Sequence, residues 1–258
     1  MATVIYPSPI FGPVHSRRLG TSLGINLMPA DGKVCTFDCI YCECGLNADR
    51  RPQKKRPTRQ VVRAALESQL KKMKDGAQLP DVITFAGNGE PTAHPDFLNI
   101  IKDTIGLRNA YCPGAKVSVL SNATLITRAE VFEALLLVDN NILKLDTVDN
   151  GYIRMVNRPC GAYDVRVLTE RMKEFKGHVI IQTMFMHGND GTKDVGNVKE
   201  EMIAPWLQAV KEIGPQQVMV YTIDRETPVH GLRKASHEEL DIIVKRVREL
   251  GIEASASY

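Results

Sequence analysis

Three cysteines within one short stretch are the residues of this 258-residue chain best suited to chemistry. They lie in Cys35-Thr-Phe-Asp-Cys39-Ile-Tyr-Cys42, which has the spacing C-x3-C-x2-C. A cubane iron–sulfur cluster contains four irons, and each iron normally takes one cysteine thiolate. Three thiolates on one loop would hold three irons and leave the fourth open to a substrate or cosubstrate, as open metal sites do.

Other uses of these cysteines fit the spacing less well. With Cys44 as a fourth ligand they could bind zinc, but structural zinc ligands usually form two separated pairs, and the next cysteines are Cys112 and Cys160. A disulfide is disfavoured because residues 1–11 lack the basic start and long apolar run of a secretory signal. We therefore expect a cytoplasmic protein with reduced thiols, in which the three remaining cysteines act as small apolar side chains.

The composition is that of a soluble globular protein, with 43% hydrophobic and 24% charged residues. No apolar run approaches the roughly 20 residues that cross a bilayer, so no membrane partner is expected. The net charge of +3 neither requires nor excludes a nucleic-acid partner. We predict a single domain over residues 1–258, with an N-terminal extension at 1–22 that packs on a core at 23–250.

Short apolar runs alternate along the chain with longer segments of helical periodicity. The predicted strands are Leu23–Leu27, Val82–Phe85, Val117–Leu120, Ile142–Leu145, Val179–Phe185 and Val218–Tyr221. The predicted helices begin near Thr58, Phe97, Thr127, Tyr163, Val198 and Ser236, with capping boxes at Thr127–Glu130 and Ser236–Glu239. The alternation indicates βαβ units and a parallel sheet, and six such units are fewer than a closed eightfold barrel needs.

Unusual polar residues follow most of the predicted strands. In β/α barrels the functional side chains lie at the carboxyl ends of the strands, so these residues are candidates for a site. They are Gly87-Asn88-Gly89-Glu90, Ser121 and Asn122, Lys144 and Asp146, Gln182 within the fifth strand, and Asp224 and Arg225 after the sixth.

The cysteine motif, with the aromatic Tyr41 directly before its last cysteine, resembles that of the radical S-adenosylmethionine (radical SAM) enzymes. The core of that family is a partial (β/α)6 barrel of the TIM type, which matches the predicted units over nearly the whole chain. The resemblance implies that Cys35, Cys39 and Cys42 bind a [4Fe–4S] cluster whose open iron is chelated by SAM. It also implies that electron transfer cleaves SAM to a 5′-deoxyadenosyl radical that abstracts hydrogen from a substrate. A small reductant protein such as flavodoxin or ferredoxin would then be a partner.

The glycine motif and its neighbour have expected roles on this resemblance. Residues 87–90, Gly-Asn-Gly-Glu, resemble a glycine-rich motif that binds the amino group of SAM, and a carboxylate such as that of Glu90 suits an ammonium. A plain turn is the alternative, since Gly and Asn are turn residues. Ser121 and Asn122 match the position that contacts the ribose hydroxyls and the carboxylate of SAM, or they form a turn before a helix.

Two further residues are expected near the adenine. Tyr41 would pack beside it, with ordinary core packing as the alternative. Gln182 could meet the adenine from the fifth strand, or it could be a satisfied polar group inside the barrel.

Lys144, Asp146 and Arg225 are the candidate catalytic residues that would contact the substrate. Lys144 and Asp146 alternate with apolar neighbours and therefore share one face of their strand. Buried charges are costly unless they pair or serve chemistry, so these two residues form either a functional pair or a structural one.

The motifs leave the substrate open between a small molecule, a peptide and tRNA. Ser16-Arg17-Arg18-Leu19-Gly20 and Tyr221-Thr222-Ile223-Asp224-Arg225 resemble the branch of wyosine-base tRNA-modifying synthases, but those enzymes carry a second cluster upstream, and no cysteine precedes Cys35 here. Arg17 and Arg18 could bind an anion or tie the N-terminal segment to the barrel. The basic segment Arg50–Arg59 could attract tRNA or be a solvated loop. The non-enzyme alternatives are an iron–sulfur protein that senses redox state and a zinc-stabilised RNA-binding module.

Overall fold

The computed structural model describes residues 4–16 and 20–258, so the possible anion contacts Arg17 and Arg18 lie outside the described residues. The strands are β1 Ile10–Ser16, β2 Gly20–Ile25, β3 Val82–Phe85, β4 Lys116–Ser121, β5 Asn140–Lys144, β6 Ile180–Met184, β7 Met186–Gly188, β8 Gln217–Tyr221, β9 Leu232–Lys234 and β10 Glu253–Ser257. The α-helices are α1 Arg59–Asp75, α2 Phe97–Tyr111, α3 Ala129–Leu137, α4 Asn150–Val156, α5 Val165–Lys173, α6 Glu200–Ile213 and α7 His237–Glu249. A short 3-10 turn covers Pro91–Ala93. None of the helices described is both long and apolar enough to cross a membrane.

Eight strands form one sheet in the order β1-β2-β3-β4-β5-β6-β8-β10. The pairs from β2 to β10 are parallel, and β1 runs antiparallel to β2. With helices between most of the parallel strands this is the predicted partial β/α barrel. The six predicted strands are β2 to β6 and β8. The strand β10 was not predicted and lies beyond residue 250, the expected end of the core.

Local sequence signals set several helix ends. Ser236 caps α7 through the predicted capping box with Glu239, and Gly251 follows the helix with a φ of +78°. The box predicted at Thr127 and Glu130 was wrong. Helix α3 begins one residue later than that box requires, so Arg128 takes the N-cap position and makes no side-chain capping bond.

Side chains along the strands alternate between two environments, as the pleat of a β-strand requires. On β4, Val117 and Val119 are fully buried in the main core. Leu120 instead packs against Ile142 and Met219 in a separate small apolar cluster inside the barrel. The lumen and the carboxyl ends of the strands therefore form a compartment distinct from the main core.

Candidate active site

The cysteine loop, residues 31–50 between β2 and α1, is held from two sides. On one side Val34 forms a parallel β-bridge with Gly89 of the glycine motif. On the other side the Ile40 amide donates to the Val156 carbonyl oxygen at 2.9 Å, at the end of α4. Backbone contacts that are distant in sequence thus fix the position of the three cysteines.

The side chains of Cys35, Cys39 and Cys42 line one cavity of about 500 Å³ at the carboxyl ends of the strands. The other predicted site residues that line this cavity are Tyr41, Gly87, Gly89, Glu90, Ser121, Asn122, Lys144, Gln182 and Arg225. Asn88 and Asp146 are not among its lining residues. The folded chain therefore gathers most of the predicted site from five strands and the cysteine loop.

The donor set suits a cluster better than a single ion. Within residues 4–16 and 20–258, no three His, Cys, Asp or Glu side chains converge closely enough to hold one metal ion. The thiolates of a cubane need not converge, because each binds a different iron. A hydrogen bond with the side chain of Cys44, which lines the same cavity, lowers the pKa of Cys42. Burial raises the pKa of Cys39 to about 11.

Lys33 is a buried cation beside the cysteines that the sequence analysis missed. Its Nζ donates to the Gly45 carbonyl oxygen at 2.7 Å and lies 3.4 Å from Asp38 Oδ1, and the residue is 3% exposed. Burial acts to lower the pKa of Lys33, but the negative charges that Cys42, Cys35, Cys39 and Asp38 carry when ionised outweigh burial and raise it. Lys33 therefore provides a positive charge that offsets the charge of the cysteine sulfurs.

The glycine motif follows β3 and needs its two glycines. Gly87 has a φ of +121° and Gly89 a φ of +137°, which residues with side chains rarely adopt. The Asn88 side chain donates to the carbonyl oxygens of Tyr6 and Pro29, each at 2.9 Å, and does not face the cavity. The Asn88 side chain thus holds the N-terminal segment, and the predicted role of Asn88 in binding SAM remains a prediction.

Glu90 is a buried carboxylate, 2% exposed, at the wall of the cavity. Its Oε1 accepts from Thr92 Oγ1 at 2.6 Å and from Ser121 Oγ at 2.8 Å, and its Oε2 accepts from the Asn122 amide at 2.7 Å. Burial raises the pKa of Glu90, while these hydrogen bonds act to lower it. The three predicted residues Glu90, Ser121 and Asn122 are therefore one connected unit rather than separate contacts.

Tyr41 faces the cavity, and its hydroxyl donates to the Asp146 carboxylate behind it. Asp146, 6% exposed, also accepts from Asn157 Nδ2 at 2.8 Å and from the Met184 amide at 3.0 Å. Burial raises the pKa of Tyr41 well above its usual value, so the phenol stays a donor. Asp146 was predicted to contact substrate. This role remains a prediction: Asp146 does not itself line the cavity, and its oxygens bond to Tyr41, Lys144 and Met184, which do.

Lys144, like Tyr41, lines the cavity. Its Nζ lies 2.9 Å from the Tyr221 hydroxyl and 3.4 Å from Asp146 Oδ1. The same nitrogen is 5.3 Å from the ring centre of Tyr41 and 5.5 Å from that of Tyr221, within the range of cation–π contacts. Burial acts to lower the pKa of Lys144, but the Asp146 charge overrides it and raises the pKa, so the amine stays charged.

Arg225 lies at the mouth of the cavity but is not a free cation. Its Nη1 is 3.1 Å from Glu43 Oε2 and 3.2 Å from the Tyr6 hydroxyl, and Tyr6 also donates to Glu43 at 2.9 Å. The guanidinium thus joins the loop after β8 to the cysteine loop and to the N-terminal segment. Its predicted catalytic role remains a prediction. Its observed contacts connect three segments of the fold to one another.

Some side chains of the basic segment Arg50–Arg59 make contacts within the fold. Arg56 donates to the Ala93 carbonyl oxygen at 3.0 Å, and Arg59 binds Asp103 at 2.7 Å. Lys54 and Lys55 remain exposed. The surface available to an anionic partner is therefore smaller than the sequence indicates.

The remaining cysteines are separated from one another in the fold. Cys44 is buried in the cavity wall, where its thiol lies 3.5 Å from the Gly87 carbonyl oxygen. Cys112 is buried at the end of α2, and Cys160 is exposed. The expectation of small buried side chains is confirmed for Cys44 and Cys112 and is wrong for Cys160.

Similar proteins agree with this architecture. The chain is 33% identical over 228 residues to a UPF0026 protein of Synechocystis sp., covering 85% of this chain and 77% of that protein. It is 31% identical over 219 residues to a UPF0026 protein of Methanocaldococcus jannaschii, covering 82% of this chain and 62% of that protein. The crystal structure of Streptococcus suis SuiB bound to S-adenosylmethionine matches with a TM-score of 0.64 at 16% identity, over 90% of this chain and 50% of SuiB.

The chain thus spans under two thirds of the Methanocaldococcus relative and half of SuiB, and the likeness to SuiB shows the fold alone. The family model of the Radical SAM superfamily matches residues 31–202, which include the cysteine motif, the glycine motif and strands β3 to β6. Members of this family use a [4Fe–4S] cluster and SAM. The chain belongs to the radical SAM superfamily of enzymes.

Proposed function

We propose that Cys35, Cys39 and Cys42 hold a [4Fe–4S] cluster and that the chain uses it with SAM to start radical chemistry on a substrate. The observation that carries the proposal is that three thiols of one loop and the glycine motif face the same cavity at the carboxyl ends of the strands. When bound, the reduced cluster would supply the electron that cleaves SAM to a 5′-deoxyadenosyl radical able to abstract hydrogen.

The residues of the chain would bind and orient these groups. Lys33 offsets the charge of the thiolates, because its amine is held in the cavity wall by Gly45 and Asp38. Glu90 presents a desolvated carboxylate, which an ammonium group would stabilise. Ser121 and Asn122 fix that carboxylate and border the cavity, where they could also meet the polar parts of SAM.

Tyr41, Gln182 and Lys144 line the rest of the cavity and are proposed to contact the adenine or the substrate. The external reductant is proposed to be a flavodoxin- or ferredoxin-type protein. The general chemistry fits a peptide, a tRNA or a small molecule as the substrate. The likeness to the wyosine branch remains a prediction.

Anaerobic reconstitution with iron and sulfide tests the proposal. We expect about four irons and four labile sulfides per chain. Cys39→Ala should lose the brown chromophore, whereas Cys112→Ala, a change at the end of α2 outside the cavity, should keep it. With dithionite and SAM, the reconstituted protein should form 5′-deoxyadenosine. Stoichiometric zinc without sulfide would contradict the cluster, and a cluster without 5′-deoxyadenosine would favour a redox-sensing protein.

A further inference from the structure

A cavity of about 620 Å³ lies at the amino ends of the parallel strands, at the opposite end of the barrel from the cysteine cavity. Its lining includes the first residues of β3, β4, β5, β6 and β8, which are Val82, Lys116, Asn140, Ile180 and Gln217. Among the described residues, none that lines this amino-end cavity also lines the cysteine cavity. Its volume is within the range of about 300–1,000 Å³ that is typical of small-molecule sites.

Polar side chains at this end of the barrel face inward. Asn140 and Gln217 each stand two residues before an apolar residue that packs inside the barrel, Ile142 and Met219 respectively. Side chains two apart on a strand share a face, so the amide groups point toward the same interior. Bulky apolar side chains normally fill the interior of a β/α barrel. The amides therefore leave this end polar where packing alone would favour apolar groups.

These two amides keep hydrogen-bonding capacity for a ligand. Asn140 is 9% exposed and lines the cavity, and its Nδ2 donates to Ser118 Oγ at 2.8 Å. Its Oδ1 accepts no hydrogen bond from the described residues, and the Gln217 side chain makes none to them. Buried polar groups normally have partners, so a ligand that supplies a donor to Asn140 would be stabilised here.

Two opposite charges stand side by side at the rim of the amino-end cavity. The Lys116 amide donates to the Asp81 carbonyl oxygen at 2.9 Å, and both side chains are exposed and line the cavity. In the part of the chain that the structure describes, Lys116 has no ion-pair partner, Asp81 included. One Asp81 oxygen accepts from the Thr21 amide at 2.8 Å. A ligand at this rim would thus meet one cation and one anion.

The inner part of the amino-end cavity is apolar. Ile180 and Met219 line it and are 3% and 5% exposed. Both belong to the small apolar cluster inside the barrel, which also includes Leu120. Because Leu120 lines the cysteine cavity, this cluster lies between the two cavities. The amino-end cavity therefore combines a charged rim with an apolar floor.

We propose that the amino-end cavity binds a free α-amino acid with an apolar side chain. The carboxylate of the ligand would meet Lys116 and the Gln217 amide. Its ammonium would donate to Asp81 and to Asn140 Oδ1, and its side chain would pack on Met219. A zwitterion matches the rim, because a ligand with one charge would pair with only one of the two rim charges. Binding at this end of the barrel needs neither the cluster nor SAM.

Methyl NMR of the protein, isotope-labelled at its methionine methyl groups, tests the site. Leucine and phenylalanine should shift the Met219 signal, assigned with Met219→Leu, in a saturable manner. Met172 is the internal control, because it is buried in the main core and does not line the cavity. The shift should occur before and after reconstitution, so failed reconstitution would contradict only the proposed function. No saturable Met219 shift with either amino acid would overturn the proposed site.

Two analogues of leucine and one variant test the zwitterion. Isocaproate lacks the amino group and isopentylamine lacks the carboxylate, so each should bind about ten-fold more weakly than leucine, or worse. Lys116→Met should weaken leucine by a similar factor and leave isopentylamine unaffected. Lys72→Met, at an exposed lysine of α1 outside the cavity, should leave leucine binding unchanged. Equal affinity for the three compounds, or full leucine affinity in Lys116→Met, would overturn the proposal.

Discussion

The carbonyl oxygen of Val34 occupies the space that a side chain at Gly89 would need. A Cβ at Gly89 would lie 1.8 Å from this oxygen, and the backbone of Gly89 has a φ of +137°. The contact forms because the Val34 amide donates to the Asn88 carbonyl oxygen at 2.9 Å and the Val34 carbonyl accepts from the Glu90 amide at 3.2 Å. The cysteine loop therefore reaches the glycine motif only where residue 89 lacks a side chain.

We expect Gly89→Ala to displace the cysteine loop, because neither backbone can move away without losing these two hydrogen bonds. The variant should unfold at a lower temperature and retain little iron after reconstitution. Gly106→Ala is the control: its Cβ would meet nothing within 4 Å, and Ala in this helix should stabilise the protein by about 0.5–1 kcal/mol. Normal iron content in Gly89→Ala would show that the bridge does not position the cysteines.

Tyr41→Phe removes a donor from the buried carboxylate of Asp146. We expect a loss of about 1–3 kcal/mol in the free energy of unfolding, measured by denaturant titration of the cofactor-free protein. Tyr163→Phe is a matched control, because the Tyr163 hydroxyl makes no hydrogen bond to the described residues and its ring packs on Phe37. An equal loss in both variants would mean that the bond to Asp146 contributes little.

Glu90→Gln should act on stability and on SAM binding separately. A Gln amide can keep the bonds from Thr92 and Ser121 on its oxygen, but its nitrogen then faces the Asn122 amide, so two donors meet. We expect about 1–3 kcal/mol of destabilisation without any cofactor. Affinity for SAM, measured by equilibrium dialysis of the reconstituted protein, should fall by roughly ten-fold or more if Glu90 meets its ammonium.

These two effects of Glu90→Gln can be told apart by Ser121→Ala. That variant removes one hydrogen bond to Glu90 and leaves its charge in place. A large loss of SAM affinity in Glu90→Gln with a small one in Ser121→Ala would support the charge contact. Unchanged affinity in both would show that SAM binds elsewhere.

Asp103 should make the stability depend on pH. A bidentate contact from Arg59, at 2.7 and 2.9 Å, and a contact from Arg63 at 3.3 Å hold the pKa of Asp103 below its usual range. A carboxyl with a depressed pKa adds stability above its unfolded pKa of about 3.9, and that stability is lost as the pH falls through the folded pKa. Asp103→Asn should therefore cost about 1 kcal/mol at neutral pH and progressively less in acid.

The control for this prediction is Glu133→Gln, since the pair of Glu133 with Lys102 is half exposed on both sides. Exposed pairs contribute about 0–1 kcal/mol, so this change should have little effect at any pH. Thermal unfolding of the three proteins between neutral and acid pH gives the comparison. A constant difference between the parent and Asp103→Asn across this range would contradict the assigned pKa direction.

The sequence predicted the parts of the site that are local in the chain. The cysteine spacing, the glycine motif and Ser121 with Asn122 each lie within a few residues, and strand ends carry them to one cavity. For Lys33 the sequence held one weak signal of a role in the site, its position two residues before Cys35. For Asn157 the sequence held no such signal, because its amide reaches Tyr41 and Asp146 only through the packing of α4 against the cysteine loop.

Fold predictions failed where tertiary pairing decides the outcome. The segment Glu253–Ser257 has little strand character of its own, and it becomes β10 because it pairs with β8. Asn88 lies inside a predicted ligand motif, yet its side chain turns to Tyr6, a residue far away in sequence. Asp146 was predicted to share a strand face with Lys144, but β5 ends at Lys144, and Asp146 lies beyond the strand and does not line the cavity.

The two-sided attachment of the cysteine loop has a consequence for biosynthesis. The loop is held by Val156 and Asn157, whose carbonyl oxygens accept from the Ile40 and Asp38 amides, each at 2.9 Å. Chains grow at about 5–20 residues per second, so the thiols leave the ribosome on the order of ten seconds before these two residues exist. During that interval the cysteines form a flexible thiol-rich peptide open to any soft metal ion. If these cysteines hold the proposed cluster, we therefore expect it to bind correctly only after α4 has docked.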